Sequence, residues 1–592
     1  MAKTKKKRKK KVAKVKEVIT LTRAKYSLDQ LEAIFVELLN TPVFILDLET
    51  TGLNPRQDKI IGIGLGTLKK EWYLFVDEID KNLLQTLLNC DKKTMVGQNL
   101  IFDVDFLGNT GYTVKNKLWD TKAAAFLINE NRSLHLKDMG KELFDMEVTK
   151  YKAVDWDNPN MVEKYGKQDI IITRKVYQKY IREIDTNYPI FYKLYMPLIR
   201  TIIEVQNNGI KVNLDYLDVI FWELKDEVDD LKSQLDTEIR KITHCEEINE
   251  KMHNSPKQLR ELFFGKLGLE PVHISRKTKQ PSTDERTLRV LAMRGSALAN
   301  VLLRYRGKNK LFTTYVQPII ERTDKETGRL HTTYNPYGAV TGRWNSSKPN
   351  LQNIPMKDKG LIRQAFVAEP NNVLLIADYS QIELRLLAHF SKDTLFNLSY
   401  TKGLDLHKKT ASAIFHKSES MITDDERAIG KTVNFSVIYG ISPFALAENL
   451  GIKMWDAKKY IDTYFNTYKG VTAFKKNTVE RCKVTGYVET LFYRKRRLPD
   501  VSTKRTERQA VNSIIQGSAA DILNRAINQL YEKFKGTDLR LLLQVHDEIV
   551  LECPKDKADY YMLEIKKIME HAVKLTVPLK CNVKACFNWS QK

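Results

Sequence analysis

The chain has 592 residues, 42% of them hydrophobic and 29% charged, and its 97 Lys and Arg outnumber 73 Asp and Glu. That composition excludes a collagen-like, disulfide-stapled or wholly disordered chain, and no apolar run approaches the ~20 residues of a membrane-spanning helix. The formal charge of +24 favours a polyanionic partner through attraction and counterion release, or else simply keeps a basic protein dissolved.

Part of that charge is local. The first sixteen residues hold ten Lys or Arg and no acid, which leaves +14 on the rest. The segment 1–25 is expected to be a disordered basic tail, because it has nothing apolar to bury. It lacks the apolar core of a secretory signal. A phosphate-binding arm, a nuclear-type address and a solvated tail without a role all remain open. Six scattered cysteines (Cys90, Cys245, Cys482, Cys553, Cys581 and Cys586) form no CxxC pair. They read as reduced thiols in a reducing, intracellular compartment.

Beyond the tail, apolar runs at 43–46, 60–66 and 71–76 predict strands, and NLLQTLLN (82–89) predicts a helix. This α/β pattern ends near residue 185. Residues 214–242 carry apolar positions at three- and four-residue steps, a long amphipathic helix with Asn213 as its N-cap. The polar stretch 275–286 reads as an exposed loop. VLLIADYS (373–380) reads as a strand and residues 426–440 as a helix. LLLQVHDEIVLE (541–552) reads as two strands joined at His-Asp.

Asp47 and Glu49 flank Leu48 at the end of a predicted strand, so the strand's period of two puts both on one face. Paired acids repel unless a cation lies between them. Alone they read rather as a solvated strand end or a helix cap. Asp103 follows in NLIFD with Asn99 four residues earlier, and Asp169 follows in YGKQD with Tyr165 four residues earlier. LDLET, NLIFD and YGKQD resemble, in order, the three motifs of the DEDDy 3′–5′ exonucleases. The resemblance implies that Asp47, Glu49, Asp103 and Asp169 ligate two metal ions and that Tyr165 positions the attacking water. By the same resemblance Leu53 and Asn99 contact a frayed 3′ end. Phe102 stands where some relatives carry Tyr.

A second set of acids lies at predicted strand tips, Asp378 after VLLIA and Asp547 at the His-Asp turn. Singly, each reads as a turn residue. In context, ADYSQIELR (377–385), RAIGKTVNFSVIYG (427–440) and QVHDEIV (544–550) resemble motifs A, B and C of the family A DNA polymerases. TGRWNSSKPNLQNIP (341–355), GYVETLFYRKRRLPD (486–500) and ERQAVNSIIQGSAADI (507–522) resemble the same family, in order. The region 205–330 resembles it more loosely, through SPKQLRELFF, PSTDE and RYRGKNKL.

The implied fold is a multidomain α/β and α+β chain. An RNase H-like exonuclease domain at 26–190 precedes a right-hand polymerase domain at 191–592, with thumb at about 205–330, palm at about 331–400 and 505–592, and fingers at about 401–504. Asp378, Asp547 and the Tyr379 carbonyl are implied to hold two Mg²⁺ ions, which Mn²⁺ can replace, with Glu548 assisting. Arg427, Lys431 and His407 are implied to meet the triphosphate, Lys431 as general acid. Phe435 and Tyr439 would lie by the sugar and the templating pair, Phe435 as the version that accepts dideoxynucleotides poorly. Glu383 would exclude a ribose 2′-OH. Arg343, Arg508, Asn512, Gln516, Gln381 and His546 would line the primer–template.

The expected activity is template-directed DNA synthesis from dNTPs with 3′–5′ proofreading, by a monomer bound to primer–template DNA and not to membrane. Only about forty residues precede the first motif, so a 5′ nuclease is not expected. A phage-infected or bacterial cytoplasm is the expected setting, with organelle and nucleus left open. The alternatives are a dedicated 3′–5′ exonuclease with a DNA-gripping C-terminal region, a non-catalytic replication factor, and a single-subunit RNA polymerase.

Overall fold

The computed structural model describes residues 26–244, 252–275, 278–356 and 360–591. The basic tail and Cys245 lie outside them. The chain opens with helix α1 (Leu28–Leu39), started by a capping box in which Ser27 and Gln30 each bond the other's backbone N–H. Its Leu31, Ile34, Phe35 and Leu38 are buried, the stripe expected of an amphipathic helix.

A five-stranded mixed sheet follows, built from β1 (Val43–Thr50), β2 (Ile60–Gly66), β3 (Glu71–Phe75), β4 (Thr94–Gly97) and β5 (Lys117–Asp120). Its order is β3-β2-β1-β4-β5. β1 is central, antiparallel to β2 and parallel to β4, and its Phe44, Ile45 and Leu46 are fully buried. The strand runs four residues past the apolar run expected from sequence. Asp47, Leu48 and Glu49 keep pairing with Gly64, Ile63 and Gly62 of β2, and the register slips only at Thr50. The surrounding helices include α2 (Lys81–Leu88), α3 (Leu100–Asn109), α4 (Thr121–Asn129), α5 (Leu136–Phe144) and the 29-residue α6 (Pro159–Asn187).

Glycine sets how closely α6 approaches the sheet. Gly64 and Gly66 fall on one face of β2, and a Cβ on either would sit 2.8 Å or 2.5 Å from the Ile170 side chain of α6. The bare backbone at these positions seats the helix directly on the strand, beside the acids of β1.

Helix α7 (Met196–Asn208) leads into the second half. The 30-residue α8 (Leu214–Thr243) is capped by Asn213, which accepts from the Tyr216 N–H. It buries Leu217, Ile220, Leu224, Val228, Leu231, Leu235 and Ile239, matching the predicted periodicity. Its distal part shares a separate core with α9 (Glu285–Met293) and α10 (Ala297–Lys310). The stretch read as a loop therefore gives way to helix at Glu285, where Asp284 accepts from the Thr287 N–H.

A second, antiparallel sheet is formed by β6 (Asn372–Tyr379), β7 (Arg540–Val545), β8 (Glu548–Pro554) and β9 (Cys581–Cys586), in the order β7-β8-β6-β9. Around it lie α11 (Ile382–Ser391), α12 (Leu406–Phe415), α13 (Asp424–Ile438), α14 (Pro443–Leu450) and the long, largely buried α15 (Lys504–Phe534). One hydrophobic core runs through both sheets. A polar joint supplements it: Glu130, just after α4, whose side chain is 2% exposed, accepts from the Arg497 backbone N–H at 2.5 Å, from its Nη1 at 3.1 Å and from Arg496 Nη1 at 2.8 Å.

Candidate active sites

In the first sheet, Asp47 and Glu49 project from β1 toward α6, which supplies Asp169. One carboxylate oxygen from each of the three lies within 4.8 Å of the others. Asp103 of α3 is nearly inaccessible, and its Oδ1 accepts the Leu48 N–H at 3.0 Å, between the two β1 acids. The start of α3 is held in turn by buried Asp120, which accepts from the Leu100 N–H at 2.8 Å and also caps α4. Tyr165 lies one helical turn before Asp169 and is buried.

Burial comes first among the forces on these acids, and their mutual repulsion adds to it. Asp47 is pushed well above the usual carboxylate range by burial and then by Asp169, Asp103 and Glu49. Glu49 is pushed to about 8 by burial and Asp169, and Asp103 to about 8 by burial. Such an all-oxygen cluster fits a hard divalent cation, whose charge would stabilise the ionised forms. Sequence reasoning missed a resident cation. Lys137 of α5 donates to Asp169 Oδ1, and its Nζ lies 3.9 Å from the centre of the Tyr165 ring. Nothing in SLHLKDMG (133–140) sets it apart from the many other basic residues. Leu53 is exposed, and the Asn99 side chain accepts from Lys122 Nζ at 3.0 Å.

In the second sheet, Asp378 of β6 pairs across the ladder with Glu548 of β8, and the Tyr379 N–H donates to the Asp547 carbonyl at 3.3 Å. Asp378 and Asp547 therefore occupy adjacent strand tips, although 169 positions separate them in sequence. The turn between β7 and β8 places His546 at φ +55°, and Gln544 Nε2 braces it by donating to the His546 carbonyl at 2.6 Å. Glu548 is buried, and its Oε1 accepts from Trp589 Nε1 at 2.7 Å. Buried Glu383 accepts from Arg343 Nη2 at 2.7 Å and from the Tyr439 hydroxyl at 2.7 Å. Arg343 also lies 3.6 Å from Asp547.

α12 and α13 meet at Gly430, where a Cβ would stand 2.4 Å from the His407 carbonyl. This approach gathers His407, Arg427, Lys431 and Phe435. The His407 ring meets Asn434 at 3.0 Å and Gln381 at 3.3 Å, and burial holds its pKa down to about 4. Arg427 Nε donates to Asp405 at 2.6 Å, while Lys431 is exposed. Tyr439 lies just past the end of α13, as its C-cap, whereas Arg427, Lys431 and Phe435 lie within the helix at four-residue steps.

Asn512 Nδ2 lies 3.5 Å from the Tyr439 carbonyl, and Arg508 packs against Gly440. Gln516, one turn further along α15, is half-buried. Arg494, which sequence reasoning did not single out, is buried against Asp521 at 3.0 Å and donates to the carbonyls of Val340 and Thr341, next to Arg343. A buried hydrogen-bonded chain also runs from α3 to β7. Gln206 bonds Asp105 at 3.2 Å and the Tyr334 N–H at 2.7 Å, and the Tyr334 hydroxyl bonds the Gln544 backbone.

Two family models match the chain: one described as DNA polymerase family A over residues 220–591, and one described as 3′-5′ exonuclease over residues 23–185. The chain therefore belongs to DNA polymerase family A, with an exonuclease domain ahead of its polymerase domain. DNA polymerase I of Borreliella burgdorferi is 34% identical over 590 residues, covering 95% of this chain and 64% of the relative. DNA polymerase I of Pseudomonas aeruginosa is 33% identical over 596 residues, covering 94% and 64%. The chain thus spans just under two thirds of the length of these relatives. The POL domain of Pol1 from M. smegmatis, solved in complex with DNA primer-template and dNTP, matches with a TM-score of 0.83 and 27% identity, covering 95% of this chain and 99% of that one. Among the described residues, no helix is long and apolar enough to cross a membrane.

Proposed function

We propose that this chain is a template-directed DNA polymerase that edits its own product with a 3′–5′ exonuclease. The observation that carries this reading is the presence of two separate carboxylate centres in a family A chain. One lies in the first sheet, the other at adjacent strand tips beside a helix bearing Arg427 and Lys431. The domains proposed are the exonuclease at 26–190 and the polymerase at 191–592, divided into thumb, palm and fingers as the motifs imply.

Mg²⁺ held by Asp378, Asp547 and the Tyr379 carbonyl, and by Asp47, Glu49, Asp103 and Asp169 in the first sheet, would supply Lewis-acid activation of the attacking oxygen and stabilise the leaving one. The side chains do the rest. Arg427 and Lys431 neutralise the triphosphate, and Lys431 delivers the proton that departing pyrophosphate needs. Glu383, held between Arg343 and Tyr439, fills the space that a ribose 2′-OH would need. Arg343 and Gln516 meet minor-groove acceptors common to every base pair, which suits a sequence-independent enzyme. In the first sheet, the Tyr165 hydroxyl orients the water that attacks a frayed 3′ end. The partners are primer–template DNA and dNTPs, the working form is a monomer, and the setting is a reducing compartment inside a cell.

Primer extension and single-strand degradation test this reading together. Asp547→Ala should lower extension by at least 10²–10³-fold, the usual scale for losing a transition-state charge partner, and spare degradation. Asp47→Ala with Glu49→Ala should do the reverse. Extension that survives Asp547→Ala would remove the synthetic half of the proposal.

A further inference from the structure

We propose that Lys137 is a built-in counter-cation that competes with divalent metal for the exonuclease cage. Its ammonium holds one of the two Asp169 oxygens, beside where a metal ion would sit, so loading the site would require Lys137 to give way. The proposal rests on the exonuclease reading above.

The argument begins with charge. Three acids whose oxygens lie within 4.8 Å, with Asp103 beside them, form a cluster that protein packing alone cannot tolerate in ionised form. Lys137 supplies one positive charge to it. Among the described residues it is the lysine or arginine paired with these acids, through Asp169, and its charge also opposes the upward push on Asp47 and Glu49. The Lys137 side chain is 17% exposed, so solvent screens this attraction only weakly.

Geometry then separates this contact from an ordinary buried ion pair. The Lys137 stem reaches from the first turn of α5 across to α6, and Nζ has three neighbours there: Asp169 Oδ1, Gln168 Oε1 at 3.4 Å and the face of the Tyr165 ring at 3.9 Å. Two of the three are not cage acids. A flexible lysine that gives up Asp169 therefore keeps a carbonyl oxygen and an aromatic face to rest on. Arginine, with its rigid fork, would leave less readily. Lys137 thus has one place to sit when metal is absent and another when it is present. The consequence is a weaker grip on metal than the bare cage would have.

The test uses the full chain carrying Asp547→Ala, which weakens metal binding at the second sheet, with and without Lys137→Met. Bound Mn²⁺ is followed by electron paramagnetic resonance. Mn²⁺ affinity at the cage should rise on the order of tenfold or more when Lys137 is replaced, because one unit of charge a few ångströms from a divalent ion is removed. The Mn²⁺ concentration giving half-maximal single-strand degradation should fall in parallel, while the rate at saturating Mn²⁺ stays close to the parent's. Lys137→Arg should keep the weak affinity, and Asp47→Ala with Glu49→Ala should abolish the difference. Should Lys137→Met fail to fold, Lys137→Gln serves in its place. Equal or weaker Mn²⁺ binding without Lys137 overturns this proposal and leaves the exonuclease reading standing. A collapsed rate at saturating Mn²⁺ also overturns it, in favour of a direct contact to substrate. Absence of cage binding in every chain overturns both readings.

Discussion

The two carboxylate centres solve the same electrostatic problem in opposite ways. In the first sheet the acids lie inside the fold: Glu49, Asp103 and Asp169 are all below a tenth exposed, and their charge is balanced by a backbone N–H and a lysine. In the second sheet Asp547 sits at the tip of a two-strand turn with its side chain 33% exposed, and water carries much of the burden. The closed centre is held by packing, through the glycine face under α6. The open centre is held by hydrogen bonds to the backbone around it. Under the function proposed, the contrast follows from the substrates. One centre receives a single frayed end, whereas the other must admit a duplex terminus and a triphosphate together.

The comparison breaks most visibly if its two halves cannot be damaged separately. Arg494 tests the open centre. It is buried beside Asp521 and holds the carbonyls of Val340 and Thr341, so Arg494→Met leaves a carboxylate stranded in the core. A loss of about 3–5 kcal/mol is expected, read as a lower denaturation midpoint, because breaking one side of a buried pair strands the other. Extension should suffer more than degradation, since Arg343 follows the loop that Arg494 pins. Adding Asp521→Leu should restore most of the stability. Equal loss of both activities in the double variant would mean that Arg494 supports the whole molecule rather than one centre.

The closed centre has its own weak point. Gly64→Val places a branched side chain where a single Cβ already approaches Ile170 to 2.8 Å. Pushing α6 off β2 should destabilise the protein by about 1–3 kcal/mol, the usual scale of overpacking. It should also carry Asp169 away from Asp47 and Glu49, so degradation falls while extension persists. Ile170→Ala in the same chain should recover part of both losses, and no recovery would show that the glycine face is not what seats the helix.

That position also shows where sequence reasoning reaches and where it stops. Strand alternation was enough to put Asp47 and Glu49 on one face, and helical steps were enough to find the stripe buried along α8. IIGIGLG read only as a strand, because what its glycines make room for lies a hundred residues away on α6. Lys137 meets Asp169 through packing of α5 on α6, and Arg494 meets Asp521 through packing on α15 of the hairpin in which Tyr487–Glu489 pairs with Lys495–Arg497. Neither contact leaves a spacing in the chain. Motif order pointed to all four acids of the cage as equals. The fold distinguishes Asp103, whose oxygen is taken by the Leu48 N–H.

A smaller effect is expected at the junction of Asp547 and Glu548. Trp589→Phe keeps the ring that packs on Phe366 and Arg363 but removes the indole donor to Glu548. About 1–2 kcal/mol of stability should go with a charge-assisted hydrogen bond of this kind. Extension should fall several-fold and degradation should not change. If extension is untouched, the indole donor is not what sets the position of Glu548.

A shift of a few °C in melting temperature is expected with pH, and it has opposite signs at the two centres. In metal-free protein the fold raises Glu49 from 4.5 to about 8, so between those values the folded state holds a proton that the unfolded chain releases. Stability contributed there is full below about 4.5 and drains away as pH rises toward 8. His407 behaves the other way. Burial lowers it from 6.5 to about 4, so the unfolded chain takes up a proton first, and stability drains away as pH falls from 6.5 toward 4. Melting curves in a chelator should therefore slope downward on both sides of a maximum. Glu49→Gln should make the alkaline slope shallower, with Asp103 and Asp47 keeping part of it, and His407→Gln should make the acid slope shallower. Added Mg²⁺ should reverse the alkaline slope alone, because the ionised cage is the form that binds it. If one substitution flattened both slopes, the two centres would titrate as one unit, and the contrast between a closed cage and an open tip would not describe how the protein carries its charge.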